Sequence, residues 1–330
     1  MKEFDISKRV LLVGATGYIG RHVANILVEQ GYKPVCPLRS INPKFAQQMK
    51  LSPEQTPIWD LENKSSVNNV FARYPDLCAI ISCVASRTGG IRDSWLVDFE
   101  LNMNILTEAK SFNINNFVLL SAICVQKPML NFQWAKLTFE NKLQSSGLDY
   151  TIVRPTAFFK SLAGQIKRVQ NGKKFILFDD GTQTSTKPIS ERDLAFFLVQ
   201  CINSKTRKNK ILSIGGPGPV QTQKDLGDII FKLLNKSPKY FHMPSNVFKI
   251  LATLISPLGL ISTKMRDKAE FLRIAHYYAT ESMLFWNKKI KQYSPEETIE
   301  VGKDTIENFY KSIIENDKQL VKDKEQKLFE

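Results

Sequence analysis

Residues 9–31 read RVLLVGATGYIGRHVANILVEQG, and no other part of the chain says as much about its architecture. The apolar run up to Val13 predicts a buried strand, and the residues after the glycines predict an amphipathic helix. Gly14, Gly17 and Gly20 lie between the two. At this spacing the first glycine permits a tight turn, the second lets the backbone approach a diphosphate, and the third lets the helix pack on the strand. This stretch therefore predicts a dinucleotide-binding strand–turn–helix unit.

The rest of the chain repeats the alternation of short apolar runs with helical patterns. Further strands are predicted at residues 33–38, 56–59, 78–84, 117–120, 150–153 and 210–214. Helices are predicted to fill the gaps and then to dominate, at 221–234, 245–255, 266–278 and from 303 onward, with a surface helix over 311–330. Strands joined by helices imply a parallel sheet covered on both faces. The predicted fold class is therefore α/β, a doubly wound parallel sheet of the Rossmann type with a smaller, mainly helical C-terminal lobe.

The same pattern divides the 330 residues into two predicted domains. An NADP-binding Rossmann domain takes residues 1–160 and 188–216, and a substrate lobe with the C-terminal helices takes residues 161–187 and 217–330. Hydrophobic residues at 43% and charged residues at 24% are ordinary for a soluble globular protein. Disordered and membrane-embedded classes are therefore excluded.

The chain is basic, with 46 Lys and Arg against 32 Asp and Glu and a net charge of +14. This charge fits nucleic acid, an anionic membrane surface, an anionic ligand or only a lysine-rich solvated surface. No zinc-finger spacing and no aromatic RNA-binding motif accompany it, so no nucleic-acid partner is predicted.

Cysteine and histidine usage bears on metals and on redox compartment. The five cysteines form no CxxC pair and the three histidines show no ligand spacing, so we predict reduced thiols and no metal. The first residues, MKEFDISKR, lead toward the first strand without an apolar segment or cleavage site. We therefore expect neither a signal peptide nor a transit peptide.

Residues that follow the strands deserve attention, because ligands of doubly wound sheets bind beyond the carboxyl ends of the strands. Arg39 follows the second predicted strand, where an acidic residue would bind the ribose hydroxyls of NAD. An arginine suits the 2′-phosphate of NADP instead, because its guanidinium makes charge-assisted bidentate contacts. Asp60 follows the next predicted strand and either accepts from the adenine amino group or caps a turn.

Ser121 ends the fifth predicted strand, and a helix then carries Phe132 and Lys136. Here the chain resembles the short-chain dehydrogenase/reductase superfamily, of the extended or atypical kind that opens with GATGYIG. The resemblance implies a serine after the strand, a Tyr-x-x-x-Lys helix in which tyrosine protonates a carbonyl oxygen, and an Arg-Pro turn that lines the nicotinamide, here at Pro155. Phe132 stands where the tyrosine belongs and cannot donate a proton. Ordinary carbonyl reduction is therefore not expected, and Lys136 is predicted to bind the ribose and to assist proton delivery.

Longer stretches make the resemblance narrower. Residues 83–100 (CVASRTGGIRDSWLVDFE), 119–140 (LLSAICVQKPMLNFQWAKLTFE) and 154–165 (RPTAFFKSLAGQ) are similar to the NADPH-dependent divinyl chlorophyllide 8-vinyl reductases. This resemblance implies reduction, with NADPH, of the 8-vinyl group of divinyl chlorophyllide or divinyl protochlorophyllide to ethyl in chlorophyll biosynthesis. Two alternatives stay open. One is another NADPH-dependent reductase of a conjugated C=C bond, of the isoflavone reductase type, and the other is a non-catalytic NADP-sensing regulator or chaperone of the same fold.

The predicted site combines these residues. Ser121 and Lys136 are the candidate catalytic residues, and the candidate cofactor-binding residues are Gly14, Thr16, Gly17, Tyr18, Ile19, Gly20, Arg39, Asp60, Lys136 and Pro155. A chlorin ring needs a wide apolar pocket, and its propionate needs a cation. The candidate pigment contacts are accordingly Arg87, Lys127, Trp134, Phe158, Phe159, Lys160 and Tyr278.

Residues 246–262 read NVFKILATLISPLGLIS, with a single charge and an interior proline. The segment is shorter than the roughly twenty apolar residues that span a bilayer. It is either a buried helix of the substrate lobe or an apolar surface that contacts a pigment-bearing membrane, which the basic charge would assist. The expected location is the cytoplasm of a photosynthetic bacterium or the plastid stroma, with peripheral thylakoid contact left open.

Overall fold

The computed structural model describes residues 8–315. Its strands, in chain order, are β1 (Arg9–Val13), β2 (Lys33–Val35), β3 (Leu77–Ser82), β4 (Asn116–Leu120), β5 (Asp149–Pro155), β6 (Phe175–Phe178), β7 (Ser185–Thr186), β8 (Lys210–Gly215), β9 (Gln221–Thr222), β10 (Tyr240–Met243), β11 (Trp286–Asn287), β12 (Gln292–Tyr293) and β13 (Ile299–Glu300).

The helices are α1 (Tyr18–Glu29), α2 (Pro43–Gln48), α3 (Lys64–Arg73), α4 (Ile91–Ser94), α5 (Leu101–Ser111), α6 (Asn131–Gln144), α7 (Phe159–Leu162), α8 (Ile166–Gln170), α9 (Glu191–Cys201), α10 (Gln223–Leu233), α11 (Asn246–Ile255), α12 (Thr263–Thr280) and α13 (Ile306–Glu315). A π-helical turn, Trp95–Glu100, joins α4 to α5.

The main sheet of the described residues has seven strands in the order β13-β8-β5-β4-β3-β1-β2. β1 pairs in parallel with β2 on one side and with β3 on the other. The chain therefore leaves β1 toward one edge and returns to continue toward the opposite edge, which makes the β1–β3 boundary the switch point of a doubly wound sheet. The predicted fold class is confirmed.

Two compact units divide the chain, one of residues 8–154 and 194–212 and the other of residues 155–193 and 213–315. In the first unit, β1, β3 and β4 supply a core with α3, α5 and α6 that includes Leu11, Phe71, Phe117 and Phe139. In the second, α7, α8, β6, α10 and α13 share a core that includes Phe159, Phe175, Phe231 and Tyr310. The predicted assignment of these parts to cofactor and substrate stays a prediction.

Small sheets accompany the helices of the second unit. β6 pairs with β10 in parallel, β11 pairs with β12 and β7 with β9 in antiparallel fashion, and β13 adds to the main sheet at β8. The sequence analysis missed these strands because most are two residues long, too short for an alternating pattern to stand out.

The predicted strand at 56–59 is wrong, and the strand at 33–38 ends early. β2 stops at Val35, and beyond it a single parallel bridge joins Leu38 to Ile58. Pro37 and Pro57 lack the amide hydrogen that a ladder requires. The two segments run side by side through the amides of Cys36, Leu38 and Trp59 but form no regular strand pair.

The segment around α11 is an exposed surface, not a buried helix. Of α11 only Ala252 is buried, whereas Leu254 is 67% exposed, and in the turn that follows Leu258 is 49% and Leu260 91% exposed. The apolar surface, as we call it, comprises Val247, Ile250, Leu251, Leu254, Leu258, Leu260, Ile261 and Phe271. Within residues 8–315 no helix is both long and apolar enough to cross a bilayer. The predicted surface helix begins as α13, and residues 316–330 lie outside the described residues.

Candidate active site

The glycine loop between β1 and α1 has the geometry that the sequence predicts. Gly14 has a φ of +79°, and a Cβ at this position would lie 2.8 Å from the carbonyl oxygen of Cys83. A Cβ at Gly20 would lie 2.1 Å from the carbonyl oxygen of Gly14, so neither position accepts a side chain. The Gly17 amide donates to the Gly14 oxygen at 3.0 Å and closes the turn. This loop fits a dinucleotide diphosphate, because it leads the amides of the α1 N-terminus to the carboxyl end of β1.

The other residues of the loop differ in exposure. Thr16 is exposed and its carbonyl accepts from Arg21 Nε at 2.9 Å, which braces the loop against α1. Tyr18 is half-buried with its ring 6.0 Å from that of His22. Ile19 is buried and packs in the core, so a contact of this residue with a nucleotide has to involve its backbone.

Arg39 and Asp60 lie where the chain leaves the edge of the sheet. Arg39 is exposed just after Leu38. Asp60 Oδ1 accepts from the Glu62 amide at 3.0 Å, and the Asp60 amide donates to Ser66 Oγ at 2.9 Å. Asp60 therefore stabilises the turn before α3, which is one of the two roles that the sequence left open.

Lys136 makes a buried ion pair that the sequence analysis did not anticipate. Its Nζ lies 2.8 Å from Asp98 Oδ1, and the Asp98 side chain is fully enclosed. The same oxygen accepts from the Ser86 amide at 3.2 Å. One turn earlier on α6, Phe132 is buried. The position of the missing tyrosine is thus occupied by a hydrocarbon ring beside a charged lysine.

Ser121 also has a partner that was not predicted. Its Oγ donates to Glu140 Oε1, and Arg154 donates from Nε to the same oxygen at 3.1 Å and from Nη2 to Oε2. Glu140 is buried and accepts two N–H groups of one guanidinium, a bidentate geometry in which such a pair is strong. The Ser121 hydroxyl is therefore part of a structural network in this state of the protein, and its catalytic role stays a prediction.

The sequence analysis missed Asp98 and Glu140 as site residues, and it included Arg154 only as part of the Arg-Pro turn. One signal was available for Glu140, because it lies four residues after Lys136 and thus on the same face of α6. Asp98 lies within the run WLVDF (residues 95–99), whose other members are apolar, and a carboxylate is unexpected on a buried face. Neither pattern predicts which residue pairs with the carboxylate, because Lys136 lies on a different element from Asp98, and Arg154 lies on a different element from Glu140.

The predicted pigment contacts lie in both units. Arg87, Lys127 and Trp134 belong to the first unit, and Phe158, Phe159, Lys160 and Tyr278 belong to the second. Trp134 and Tyr278 are about half exposed, at 49% and 47%. Phe159 is buried with its ring 5.4 Å from that of Phe309, which makes it a core residue. Pro155, the predicted nicotinamide contact, is buried at the end of β5.

The region around Lys136 contains carboxylates and a cysteine, which are residue types that can hold a metal ion or act as a nucleophile. Among residues 8–315, no group of three or more His, Cys, Asp or Glu is placed to hold a metal ion. Desolvation raises the pKa of the Cys83 thiol to about 12, although Lys136 opposes the shift. Cys83 is therefore a neutral thiol near neutral pH, and it does not compete with Asp98 for the lysine.

Fold and loop together define a Rossmann-type NAD(P)H-binding protein, and comparison with known proteins agrees. The NAD(P)H-binding family profile matches residues 14–205. The NADPH-dependent quinone oxidoreductase QOR2 of Escherichia coli, solved with NADPH, superposes with a TM-score of 0.66 at 15% identity and covers 92% of this chain and 99% of its own, a likeness in fold.

Two plant relatives are much closer in sequence. The chloroplastic divinyl chlorophyllide a 8-vinyl-reductase of Arabidopsis thaliana is 40% identical over 325 residues, which is 92% of this chain and 76% of the relative. The protein of the same name from Oryza sativa subsp. indica is 40% identical over 316 residues, 92% of this chain and 78% of the relative. The chain belongs to the divinyl chlorophyllide a 8-vinyl-reductase family.

Proposed function

We propose that this protein uses NADPH to reduce the 8-vinyl group of a divinyl chlorophyllide to ethyl. The observation that carries the proposal is the 40% identity over 92% of the chain with reductases of that name. The glycine loop and the charged Lys136 are the cofactor-binding parts that such a reaction requires. We assign cofactor binding to the first unit and the larger part of substrate binding to the second.

The residue chemistry supports reduction of a carbon–carbon bond over reduction of a carbonyl. NADPH, when bound, supplies the hydride. The second vinyl carbon then takes a proton while the macrocycle spreads the charge, so no phenol has to be aimed at a carbonyl oxygen. Phe132 is consistent with this need, because it occupies the tyrosine position and is buried. Lys136 holds the nicotinamide ribose through its ammonium group. Within residues 8–315, the carboxylate paired with that group is Asp98.

Cofactor and pigment contacts are assigned on the same grounds. Arg39, exposed beyond β2, binds the 2′-phosphate of NADPH. Arg87 or Lys127 pairs with the pigment propionate in the first unit, and Trp134 offers its half-exposed indole to the ring. Phe158, Lys160 and Tyr278 are the corresponding residues of the second unit. Phe159 is not among them, because it is a core residue.

The proposed location follows from the relatives and from the surface. The plant relatives are chloroplastic, so we place this reaction in the plastid stroma or in the cytoplasm of a photosynthetic bacterium, with peripheral contact at the thylakoid. The apolar surface supports that contact. Lys249, Lys264, Arg266 and Lys268 are exposed on the same two helices and would face anionic headgroups.

An assay with purified components tests the function. Incubation with NADPH and divinyl chlorophyllide, without ferredoxin or added metal, is expected to yield monovinyl product, with one NADPH oxidised for each vinyl group reduced. NADPH binding is measured separately by quenching of protein fluorescence. Binding without product would contradict the proposal. Product formation only with other conjugated alkenes would favour the isoflavone reductase type, and NADPH binding without any turnover would favour a regulator.

A further inference from the structure

A π-helical turn carries Asp98 into the interior of the first unit. Asn102 Nδ2 donates to the carbonyls of Val97 and Asp98 at 3.3 and 3.2 Å, and Asn102 Oδ1 accepts from Ser82 Oγ at 2.6 Å. Ser82 is the last residue of β3. The widened turn is thereby tied to the sheet through a buried amide, and single π-helical turns of this kind occur frequently at functional sites.

The Asp98 carboxylate is buried, with 1% of the residue exposed, and it is only half satisfied. Oδ1 accepts from Lys136 Nζ and from the Ser86 amide. Oδ2 is enclosed and receives no hydrogen bond from any residue within 8–315. Asp98 also lines a cavity of about 10 Å³, together with Asn102, Ser121 and Lys136.

The Asp98–Lys136 ion pair is expected to contribute little to the free energy of folding. A buried ion pair loses hydration on both partners, and an oxygen without a donor adds to that cost. The neighbouring pair differs, since Glu140 binds Arg154 through both oxygens. Of the ionisable groups named above, Glu140 and Arg154 pair with each other, the Cys83 thiol is neutral, and Asp98 pairs with Lys136. Within residues 8–315, Asp98 is the carboxylate that forms an ion pair with Lys136.

We propose that Asp98 is a positioning residue of this enzyme, which acts through Lys136 by holding its ammonium group in place for cofactor binding. The Asp98 carboxylate fixes a long, flexible side chain at one point, and the Asn102-braced turn fixes the carboxylate. The inference rests on the proposed function only for turnover, because NADPH affinity can be measured without pigment.

The test combines single and double substitutions. Asp98→Asn keeps the shape and removes the charge, and Glu100→Gln removes an exposed charge from the same turn as the matched control. We expect Asp98→Asn to weaken NADPH binding and to lower kcat by about tenfold or more, as the loss of a charged contact does, with the pigment KM little changed. Glu100→Gln should match the parent protein in both measurements.

The double variant decides whether Asp98 acts through the lysine. In a Lys136→Met background, Asp98→Asn should cause no further loss of NADPH affinity, because the ammonium group that Asp98 positions is absent. An equal loss in both backgrounds, or parent-like affinity of Asp98→Asn alone, would overturn the proposal. A parent protein that binds NADPH but yields no monovinyl pigment would refute the proposed function and leave this test intact.

Melting temperatures check folding of each variant. If Asp98→Asn does not fold, Asn102→Ser carries the test, since it keeps both members of the ion pair and removes the hydrogen bonds that hold the turn. We expect weaker NADPH binding from this variant with the fold preserved. Unchanged affinity in a folded Asn102→Ser protein would count against a positioning role.

Discussion

At the scale of single residues, our proposal assigns the choice between the two nicotinamide cofactors to Arg39. The residue is exposed directly after the Leu38 bridge, at the edge of the sheet where the second strand of a Rossmann unit reaches the adenosine ribose. A guanidinium there binds a 2′-phosphate and gains nothing from a 2′-hydroxyl. The proposed role of Arg39 therefore depends on the attraction between its guanidinium and the 2′-phosphate of NADPH.

Replacement of Arg39 by alanine is expected to raise the KM for NADPH by about tenfold or more, because a hydrogen bond to a charged group contributes roughly 1.5–3 kcal/mol. The KM for NADH should stay nearly constant. Steady-state kinetics with both cofactors measure the ratio. Lys110→Ala, which removes an exposed cation near the C-terminus of α5, is the control. Equal effects on the two cofactors would show that Arg39 has a structural role.

At the scale of elements, α6 concentrates the chemistry of the first unit on one helical face. Phe132, Lys136 and Glu140 follow one another at intervals of four residues. Each contacts a different part of the fold: Phe132 is buried, Lys136 reaches the π-helical turn, and Glu140 reaches Ser121 and Arg154. The phenylalanine at position 132 of α6 is therefore compatible with the ion pairs that Lys136 and Glu140 form further along the same face.

Phe132→Tyr restores the hydroxyl that carbonyl reductases use at this position. We expect no increase in the rate of vinyl reduction, because the proton goes to carbon and the hydroxyl would lie at a site built around a buried ring. The kcat for monovinyl product is the measurement, with NADPH affinity and melting temperature as controls on binding and folding. A several-fold rise in kcat would mean that a phenolic acid does assist this reaction.

At the scale of the whole molecule, the proposed membrane contact rests on the net charge of +14 and on the apolar surface. Leu260 and Ile261 are 91% and 87% exposed at the turn between α11 and α12, with basic residues on both helices. An apolar patch of this kind usually marks an interaction site. Anionic lipid is the partner that both the apolar and the basic residues favour.

We expect the protein to sediment with vesicles of anionic lipid and to dissociate as salt rises, because ions screen the attraction. Leu254→Asp together with Leu258→Asp should abolish sedimentation and leave the melting temperature nearly unchanged, since the two residues are 67% and 49% exposed. Phe196→Asp, at an exposed apolar position of α9, is the matched control. A folded double variant that still sediments would remove this surface as the membrane contact.

What the sequence by itself determined is local. The turn at Gly14, the packing of α1 on β1 through Gly20, and the absence of a phenol at Phe132 follow from residues close together in the chain, where backbone sterics and side-chain chemistry act without reference to the remainder of the fold. The alternation of short apolar runs with helical patterns likewise predicted the parallel sheet, because each run and each helix shows its own pattern in the sequence.

Only the tertiary structure decided which distant groups meet. Asp98 reaches Lys136, and Glu140 binds Ser121 and Arg154, through contacts between separate elements that no spacing encodes. Tertiary packing also decided exposure. The apolar run of α11 is typical both of a core helix and of an exposed apolar surface, and in the structure its leucines are exposed. Local propensity is a property of a segment, whereas pairing and burial depend on what the rest of the chain places beside it.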